Sequence, residues 1–397
     1  MPKRYYLVFL FAVFTWACAP RPVPVEPEPA ADKAFYVPVE FDEVMDILSS
    51  GLKSQGLESW TQLKEPLERS LVYVRSRDPQ KEAMCLPELC LKWGEILKTL
   101  ETLLALLPDI DRNPEVLEYF FDFYAVSPDI LLTGYYEPLL KASRHPHPEY
   151  PYPVYSVPDD LQTVDLGKFH PRWQGQKLVY RVENGKIKPY HDRQSIDQKG
   201  VLRGRNLEIA WVSDPVDLFF LHIQGSGRLK YADNDQEHVL YSARNGLQYV
   251  ALGRVLINMG YMEPQEVSMQ SIRGFLDENR HLVDSLLATN PSYIFFSLAD
   301  EGPRGSTGQV LTPYVSVASD PSYIPWGSVM ILDAGLPEYQ GRKISVSGPV
   351  LSQDTGGAIR GRHLDFFCGF GERAEYLAGK MKDRAKVYLM VIKNDQN

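Results

Sequence analysis

The spacing of apolar residues along the chain changes near residue 131. Before that point, from Phe41 to Ala125, apolar residues recur three or four positions apart, as they do on one side of an α-helix. The clearest stripes are Val44, Ile47, Leu48 and Leu52, and then Ile96, Leu97, Leu100, Leu103, Leu104 and Leu107. From Leu131 onward, short apolar runs alternate with turn clusters. The pattern predicts a mainly β protein with an N-terminal helical region.

Two stretches interrupt the predicted β structure. Asp214-Pro215 before an apolar run predicts a capped helix, which ends in a turn at Gly225-Ser226-Gly227. Helical spacing returns from Tyr241 to Met259, and a second helix is predicted from Met262 to Leu287. The remaining strands are predicted at 293–298, 310–317, 328–332, 343–351 and 387–392.

The first residues have the features of a targeting segment. Lys3 and Arg4 precede an apolar run that is too short to span a bilayer but suits a secretory signal. The run ends at Cys18, and Ala17-Cys18 resembles a bacterial lipoprotein processing site in which Cys18 becomes the lipidated first residue. The alternative is an ordinary cleaved signal with a coincidental cysteine. Many prolines follow and predict an extended linker.

Composition narrows the class of partner. A length of 397 residues suits about two domains, and a net charge of -9 argues against nucleic acid as the main partner. The 23 tyrosines suit a carbohydrate partner, because aromatic rings stack on sugars, although ordinary packing explains them equally well. Cys85 and Cys90 are close enough in sequence to form a disulfide or to stay reduced, and Cys368 is left over.

The most distinctive chemistry lies near the carboxyl terminus. Asp354 and Asp365 flank a glycine-rich loop between two apolar runs, which is a common way to deliver carboxylates to a groove. Asp365 lies among Leu364, Phe366 and Phe367, where ionisation is costly, so we expect its pKa to be raised. The alternative is that both aspartates cap turns.

Several other catalytic classes do not fit the sequence. No histidine pair, HExxH motif or Cys/His array has the spacing of a metal site, so neither a metal nor another cofactor is expected. The stretch from Gly302 to Gly308 lacks the lysine of a phosphate loop, and no G-x-S-x-G motif occurs. Asp354-Thr355-Gly356 matches an aspartic protease signature locally. In that class of protease, each of the two catalytic aspartates comes from its own lobe or subunit. The weak second match to the signature, at Asp333, is too near Asp354 in sequence to belong to a separate lobe.

A set of motifs then resembles one known family. Three aspartates occur as Asp320 in V-A-S-D-P-S-Y-I-P-W-G, Asp354 in Q-D-T-G-G-A-I-R-G and Asp365 in R-H-L-D-F-F-C-G. The motifs that accompany them are L-T-G-Y-Y-E-P at Leu132, D-P-V-D-L-F-F-L-H-I-Q-G-S-G at Asp214, N-P-S-Y-I-F-F at Asn290 and G-E-R-A-E-Y-L-A-G after Phe370. In this order they resemble the membrane-bound lytic murein transglycosylase A family.

The resemblance implies a double-psi β-barrel domain, built from two chain segments, with a second β-barrel domain inserted between them. The division expected from it is a signal peptide at 1–18, a Pro-rich linker at 19–35, the helical region with the first barrel segment at 36–139, the inserted barrel at 140–240, and the second barrel segment with the three aspartates at 241–397.

For function, the resemblance implies a lytic transglycosylase that cleaves peptidoglycan between N-acetylmuramic acid and N-acetylglucosamine and forms a 1,6-anhydromuramoyl end. Asp365 is then the general acid and base, and Asp354 orients groups or stabilises charge. The candidate substrate contacts are Thr133, Tyr135, Gln224, Ser226 and Asp320, and Asp320 is also suited to organising a turn. The alternatives are a wall glycan hydrolase and a non-catalytic wall-binding module on the same fold.

The expected partners follow from the resemblance, from the start of the chain and from its net charge. They are peptidoglycan glycan strands, the outer membrane through a lipid on Cys18, and wall-synthesis complexes. Ala19, directly after the cysteine, gives no sign of retention in the inner membrane, so the outer membrane facing the periplasm is expected. The protein is expected to be a monomer that binds no nucleic acid.

Overall fold

The computed structural model describes residues 34–126 and 130–393, with side chains described everywhere in these ranges except at 49–51 and 343. The predicted signal peptide, Cys18 and residues 19–33 of the predicted linker lie outside the described residues. Within the described ranges, no helix has both the length and the apolar character needed to cross a membrane.

The described residues form α-helices, mostly in the first part of the chain and between residues 193 and 287, and many strands. The α-helices are α1 Phe41–Gly51, α2 Lys64–Arg75, α3 Trp93–Ile110, α4 Val116–Phe120, α5 Arg193–Asp197, α6 Pro215–Gln224, α7 Leu252–Asn258, α8 Met269–Glu278, α9 Val283–Leu287 and α10 Glu372–Lys380. The strands are β1 Tyr36–Val39, β2 Glu82–Cys85, β3 Cys90–Lys92, β4 Phe121–Val126, β5 Ile130–Glu137, β6 Leu139–Ser143, β7 Tyr152–Tyr155, β8 Gln162–Asp165, β9 Lys177–Glu183, β10 Lys186–Pro189, β11 Glu208–Val212, β12 Ser226–Lys230, β13 Gln236–Arg244, β14 Ile294–Ala299, β15 Ser316–Ala318, β16 Val329–Tyr339, β17 Arg342–Asp354, β18 His363–Phe370 and β19 Lys382–Ile392.

Six of these strands close into a barrel. Hydrogen bonds join β5 to β18, β18 to β15, β15 to β17, β17 to β16, β16 to β19, and β19 back to β5. The β5–β18 and β15–β17 pairs are parallel, and the other pairs of the ring are antiparallel. β4 and β1 continue the sheet from β19 outside this ring. The predicted mainly β fold is confirmed.

Side chains alternate along β5 between the barrel core and its outer surface. Ile130, Leu132 and Tyr136 are buried in the core with residues from β16, β17, β18 and α10. Successive side chains of a strand point to opposite faces, so Thr133 and Tyr135 project from the outer surface of the barrel. The same alternation on β18 buries Leu364 in the core and turns its neighbour Asp365 outward.

The N-terminal helices cover another part of the barrel wall. α3 buries Ile96, Leu100, Leu103 and Leu107, which form a cluster with apolar residues of α1 and α2. Val329, Ile331, Leu351 and Met390, from three strands of the barrel, complete that cluster. The leucine stripes of the sequence are therefore the side of the helices that packs on the barrel. Near these helices, Cys85 and Cys90 are disulfide-bonded between β2 and β3, and Cys368 is free and buried.

A second sheet contains six strands in the order β14-β13-β12-β6-β11-β7. Its core includes Leu140, Val154, Val212, Leu229 and Val239, and α6 packs on it through Leu218 and Leu221. The sheet includes β14, which lies beyond the boundary at residue 240 expected for the insert. A small sheet of β8, β9 and β10 lies between β7 and β11 in sequence.

Three local predictions differ from the structure. The predicted helix from Tyr241 to Met259 is wrong in its first part, where residues up to Arg244 continue β13 and pair with β14. The predicted helix from Met262 to Leu287 is divided into α8 and α9, and the predicted strand at 310–317 is reduced to the short β15. Hydrophobic spacing is a local signal, whereas pairing with a distant strand decides the conformation at residues 241–244.

Gln353 links the helical region to the barrel directly beside one of the candidate catalytic aspartates. Its side chain is fully buried. Its Nε2 donates to Pro66 O at 3.0 Å and to Ser70 Oγ at 2.9 Å, and its Oε1 accepts from Ser316 Oγ at 2.5 Å. α2 therefore holds the end of β17 through a network in which both ends of the amide are satisfied.

We predict that Gln353→Leu lowers the free energy of unfolding by about 2–4 kcal/mol, because it leaves several buried polar groups without their partner. Urea denaturation of both proteins measures the difference. Gln80 is exposed and its side chain has no such network, so Gln80→Leu, the matched control, should change stability by less than about 0.5 kcal/mol. Equal losses in the two variants would contradict the proposed network.

Candidate active site

The site forms on the outer surface of the barrel, where three of the sequence motifs meet. The parallel pairing of β5 and β18 places Thr133 directly opposite Asp365. Ala318 of β15 is paired with Asp365 on one side and with Asp354 at the end of β17 on the other. Two aspartates that flank a loop in sequence are thus held by two strands, β17 and β18, that both pair with β15.

Asp365 has one direct hydrogen-bond partner among the described side chains. Thr133 Oγ1 donates to its Oδ1 at 2.7 Å, and the same hydroxyl lies 2.8 Å from His363 Nε2. His363 Nδ1 lies 3.3 Å from Ala358 O. Burial lowers the pKa of His363, so this imidazole is neutral near pH 7.

Burial raises the pKa of Asp365 from its ordinary value of 3.8 to about 7. The hydrogen bond from Thr133 acts in the opposite direction, and the negative charge of Asp354 adds to the increase. The raised pKa predicted from its apolar neighbours in sequence agrees with this direction. A carboxyl group with a pKa near neutrality can both give and take a proton at physiological pH.

Asp354 lies in a richer hydrogen-bonding environment than Asp365. Its Oδ1 accepts from the backbone N–H of Ser306 at 2.9 Å and from Ser306 Oγ at 2.8 Å. Its Oδ2 accepts from the Tyr135 hydroxyl at 3.1 Å. Burial raises the pKa of Asp354, and the hydrogen bonds from Ser306, Thr355 and Tyr135 oppose that increase by favouring the carboxylate.

Tyr135 connects Asp354 to the apolar part of the site. Burial raises the pKa of its phenol well above the ordinary value, so the hydroxyl stays protonated and acts as a donor. Its ring centroid lies 5.2 Å from that of Phe367, which β18 contributes. The ring is held by this contact while its hydroxyl orients Asp354.

Asp320 organises the loops beside the site. Its Oδ1 accepts from Ser322 N at 3.1 Å, and its Oδ2 accepts from Gly361 N at 2.9 Å. Gly361 has a φ of 55°, a left-handed conformation that favours glycine, in the loop between the other two aspartates. Both carboxylate oxygens of the buried Asp320 therefore bond backbone amides, as in the turn-organising role considered from sequence.

The insert reaches β5 through the end of α6. Gln224 Oε1 accepts from Tyr136 N at 3.1 Å, beside Tyr135, and Ser226 begins β12 two residues later. The helix itself begins as predicted, because Asp214 accepts a hydrogen bond from Val216 N and Pro215 occupies the first turn. Gln224 thus joins the second sheet to the strand that carries Thr133 and Tyr135.

Sequence reasoning missed two residues of the site. Ser306 lies in the 302–308 stretch, which was considered only as a phosphate loop, and its contact with Asp354 joins segments far apart in sequence. His363 lies in the R-H-L-D motif, two residues before Asp365, so the period of a strand could have placed both on one face. Among residues 34–126 and 130–393, no cluster of three or more His, Cys, Asp or Glu is arranged to hold a metal ion.

The raised pKa of Asp365 predicts a specific pH dependence of stability. The unfolded chain loses this proton near pH 3.8 and the folded protein near pH 7, so the folded state binds more protons between these values. Wild-type stability should therefore fall relative to Asp365→Asn as the pH rises through this window, by up to about 1.4 kcal/mol per pH unit. Above pH 7 the difference should become constant. Urea unfolding of both proteins at several pH values measures it, and parallel curves would show a carboxyl group with an ordinary pKa.

Comparison with known proteins agrees with this geometry. Residues 131–297 match the family profile described as the MltA specific insert domain, and residues 315–391 match the 3D domain. The chain is 30% identical over 274 residues to the membrane-bound lytic murein transglycosylase A of Vibrio cholerae. That match covers 67% of this chain and 66% of the relative, which is about two thirds of its length.

Solved structures give the same result. A membrane-bound lytic murein transglycosylase from Agrobacterium tumefaciens is 28% identical with a TM-score of 0.76, covering 90% of this chain and 98% of that one. Escherichia coli MltA with bound chitohexaose shares the fold at 22% identity, with a TM-score of 0.64 and coverage of 84% and 90%. The resemblance seen in the sequence is confirmed: the chain belongs to the membrane-bound lytic murein transglycosylase A family.

Proposed function

We propose that this protein is a peptidoglycan lytic transglycosylase that cleaves the β-1,4 bond between N-acetylmuramic acid and N-acetylglucosamine. The observation that carries the proposal is Asp365, a carboxyl group on the outer face of the barrel whose pKa is raised to about 7 by burial. The names of the relatives, lytic murein transglycosylases, give the reaction class. Family membership and the site chemistry therefore support the same reaction.

In the first half of the reaction, Asp365 acts as general acid. Its proton passes to the glycosidic oxygen, the bond from that oxygen to C1 of the muramoyl sugar breaks, and an oxocarbenium-like species forms. The product that leaves is the N-acetylglucosamine end with a new hydroxyl group. Asp365 is left as a carboxylate.

In the second half, the same group acts as general base. The carboxylate of Asp365 takes the proton of the C6 hydroxyl of the muramoyl sugar, and O6 bonds to C1 to close the 1,6-anhydro ring. No water is consumed, and the proton lost in the first half is recovered. A single carboxyl group therefore completes the cycle.

The Thr133 hydroxyl suits both protonation states of Asp365. When Asp365 is ionised, Thr133 donates to it, as in the observed 2.7 Å contact. When Asp365 is protonated, Thr133 can accept from it and donate to the neutral His363 Nε2, 2.8 Å away. Reversal of the Thr133–Asp365 hydrogen bond lets the hydroxyl follow the proton without moving a heavy atom.

Asp354 supports the reaction as a fixed negative charge. Hydrogen bonds from Ser306, Thr355 and Tyr135 orient its oxygens and favour the carboxylate form. Its charge stabilises the positive charge that develops on the sugar and favours the protonated form of Asp365. Unequal hydrogen bonding of two neighbouring carboxyl groups is a general way to assign them different roles.

The surrounding residues complete the proposed substrate site. Thr133, Tyr135, Gln224 and Ser226 are its sugar contacts, and Asp320 acts by holding the loop that contains Gly361.

The closed ring of six strands is the proposed double-psi barrel, and the six-stranded second sheet belongs to the insert. A glycan hydrolase on this fold would use Asp354 to activate water, and the chemistry of the product ends distinguishes the two reactions.

Asp365→Asn should abolish most of the activity. The amide keeps the shape of the side chain but cannot supply a proton, so kcat should fall by about a hundredfold or more. Mass spectrometry of muropeptides released from purified sacculi measures the rate and shows the product ends. Wild-type products should end in 1,6-anhydromuramic acid.

The exposed Asp109 lies outside the site, so Asp109→Asn is the control and should keep full activity. Reducing ends in the wild-type products would establish the hydrolase instead.

The proposed location is the outer membrane, facing the periplasm, with a lipid on Cys18 as the anchor. Support comes from the basic and apolar start of the chain and from relatives named as membrane-bound. Cys18→Ala should release the full chain into the soluble periplasmic fraction and prevent incorporation of labelled palmitate. Cell fractionation measures the release, and palmitate labelling measures the loss of the lipid. Cys368 is unchanged in the variant, so complete loss of the label would show that the label was attached at Cys18. Continued membrane association of Cys18→Ala would contradict the anchor.

A further inference from the structure

A buried ionic cluster lies at the far end of the strand that carries the site. Glu137, the last residue of β5, is almost completely buried. Its Oε2 accepts from Arg228 Nε at 2.6 Å, and its Oε1 lies 2.6 Å from His238 Nδ1. The reaction proposed above uses none of these three residues.

The cluster lies on the same surface as the catalytic residues. Thr133, Tyr135 and Glu137 lie at alternate positions of β5, so their side chains share one face, and each is hydrogen-bonded to an ionisable side chain. At a rise of about 3.3 Å per residue, Glu137 is roughly 13 Å along the strand from Thr133. The cluster is therefore within reach of a substrate strand that is bound at Asp365.

Arg228 approaches this surface from the insert. Exposure alternates along β12. Ser226 and Arg228 are partly exposed, whereas Gly227 and Leu229 are buried in the second sheet. Arg228 therefore shares a face with Ser226, one of the proposed sugar contacts. The guanidinium lies where that face meets the outer face of β5.

The guanidinium is held on one edge and one face. Nε donates a hydrogen bond to Glu137, and Cζ lies 3.8 Å from the ring centroid of Phe370. The Phe370 ring is 55% exposed, although it is large and apolar. Within the ranges that the structure describes, neither Nη atom of Arg228 has a hydrogen-bond partner. The edge that carries both Nη atoms remains available.

This geometry suits a carboxylate. Two parallel N–H donors on a planar guanidinium bind both oxygens of a carboxylate, and lysine cannot reproduce that fork. Because Glu137 and Phe370 already fix the guanidinium, little conformational entropy would be lost when a ligand binds. If the Arg228–Glu137 ion pair served only to neutralise Glu137, the partly exposed ring of Phe370 would not need to pack on the guanidinium.

We propose that Arg228 binds a carboxylate of the peptidoglycan substrate and so distinguishes wall strands from uncharged glucosamine polymers. The inference rests on the proposed function, in which the ligand is peptidoglycan. N-acetylated sugar rings carry no charge, so the carboxylate comes from the stem peptide or, in strands without peptides, from the lactyl group of the muramoyl sugar.

Binding is measured in the Asp365→Asn background, where the ligand is not cleaved. Four probes are used: glycan strands with stem peptides, the same strands with carboxylates converted to methylamides, peptide-free strands, and chitohexaose. Arg228→Lys should weaken binding of a carboxylate-bearing probe by about tenfold or more, because the two-point contact is lost. Its affinity for the methylamide strands and for chitohexaose should not change.

Two further variants separate binding from folding. Arg228→Gln with Glu137→Gln removes both charges together, so no buried carboxylate is left unpaired, and it should show the same selective loss. Arg75 forms an exposed pair with Glu101 at 3.0 Å in the helical region, so Arg75→Lys is a matched control that should not alter any of the four affinities.

The pattern of losses identifies the source of the carboxylate. A loss confined to peptide-bearing strands assigns it to the stem peptide, and a loss confined to peptide-free strands assigns it to the lactyl group. A loss for both indicates that either source is recognised. Equal losses for all four probes, or no loss for any, would overturn the proposal. Because no turnover is needed, a selective loss would stand even if the products carried reducing ends.

Discussion

The parallel pairing of β5 with β18 is the contact on which the candidate active site depends. It sets Thr133 opposite Asp365, and it brings Tyr135 into reach of Asp354. Side chains of a strand alternate between faces, so a shift of one residue would turn Asp365 into the barrel core and Leu364 out of it. Closure of the six-stranded ring prevents such a shift, because β5 and β18 are each paired on both sides.

Asp354 and Asp365, the two partly buried carboxyl groups of the candidate site, differ in their hydrogen bonding. Asp354 accepts hydrogen bonds from Ser306, Thr355 and Tyr135, whereas the carboxyl group of Asp365 accepts one, from Thr133. Burial opposes ionisation at both positions, and hydrogen bonds compensate for it better at Asp354. Asp365, where hydrogen bonds compensate poorly for burial, is therefore suited to carry a proton. Asp354, where they compensate better, is suited to carry a negative charge.

Elements outside the barrel support this arrangement from two sides. The helical region holds the end of β17 through Gln353, which immediately precedes Asp354. The insert contacts β5 through Gln224 and through the ion pair of Arg228 with Glu137. The contacts from both sides are hydrogen bonds that are buried or partly buried, so they fix the orientation of the joined elements as well as the distance between them. The second sheet is therefore positioned as part of the same surface as the carboxyl groups.

The sequence by itself determined the mainly β class, the family and the raised pKa of Asp365, because motifs, hydrophobic spacing and apolar neighbours are local properties. Tertiary structure decided which distant segments meet. The contact of Ser306 with Asp354, the strand at residues 241–244 that had been predicted as helix, and the approach of Arg228 to Glu137 all depend on pairing between residues far apart in the chain. Such pairings are selected by the free energy of the whole fold, and no local pattern records them.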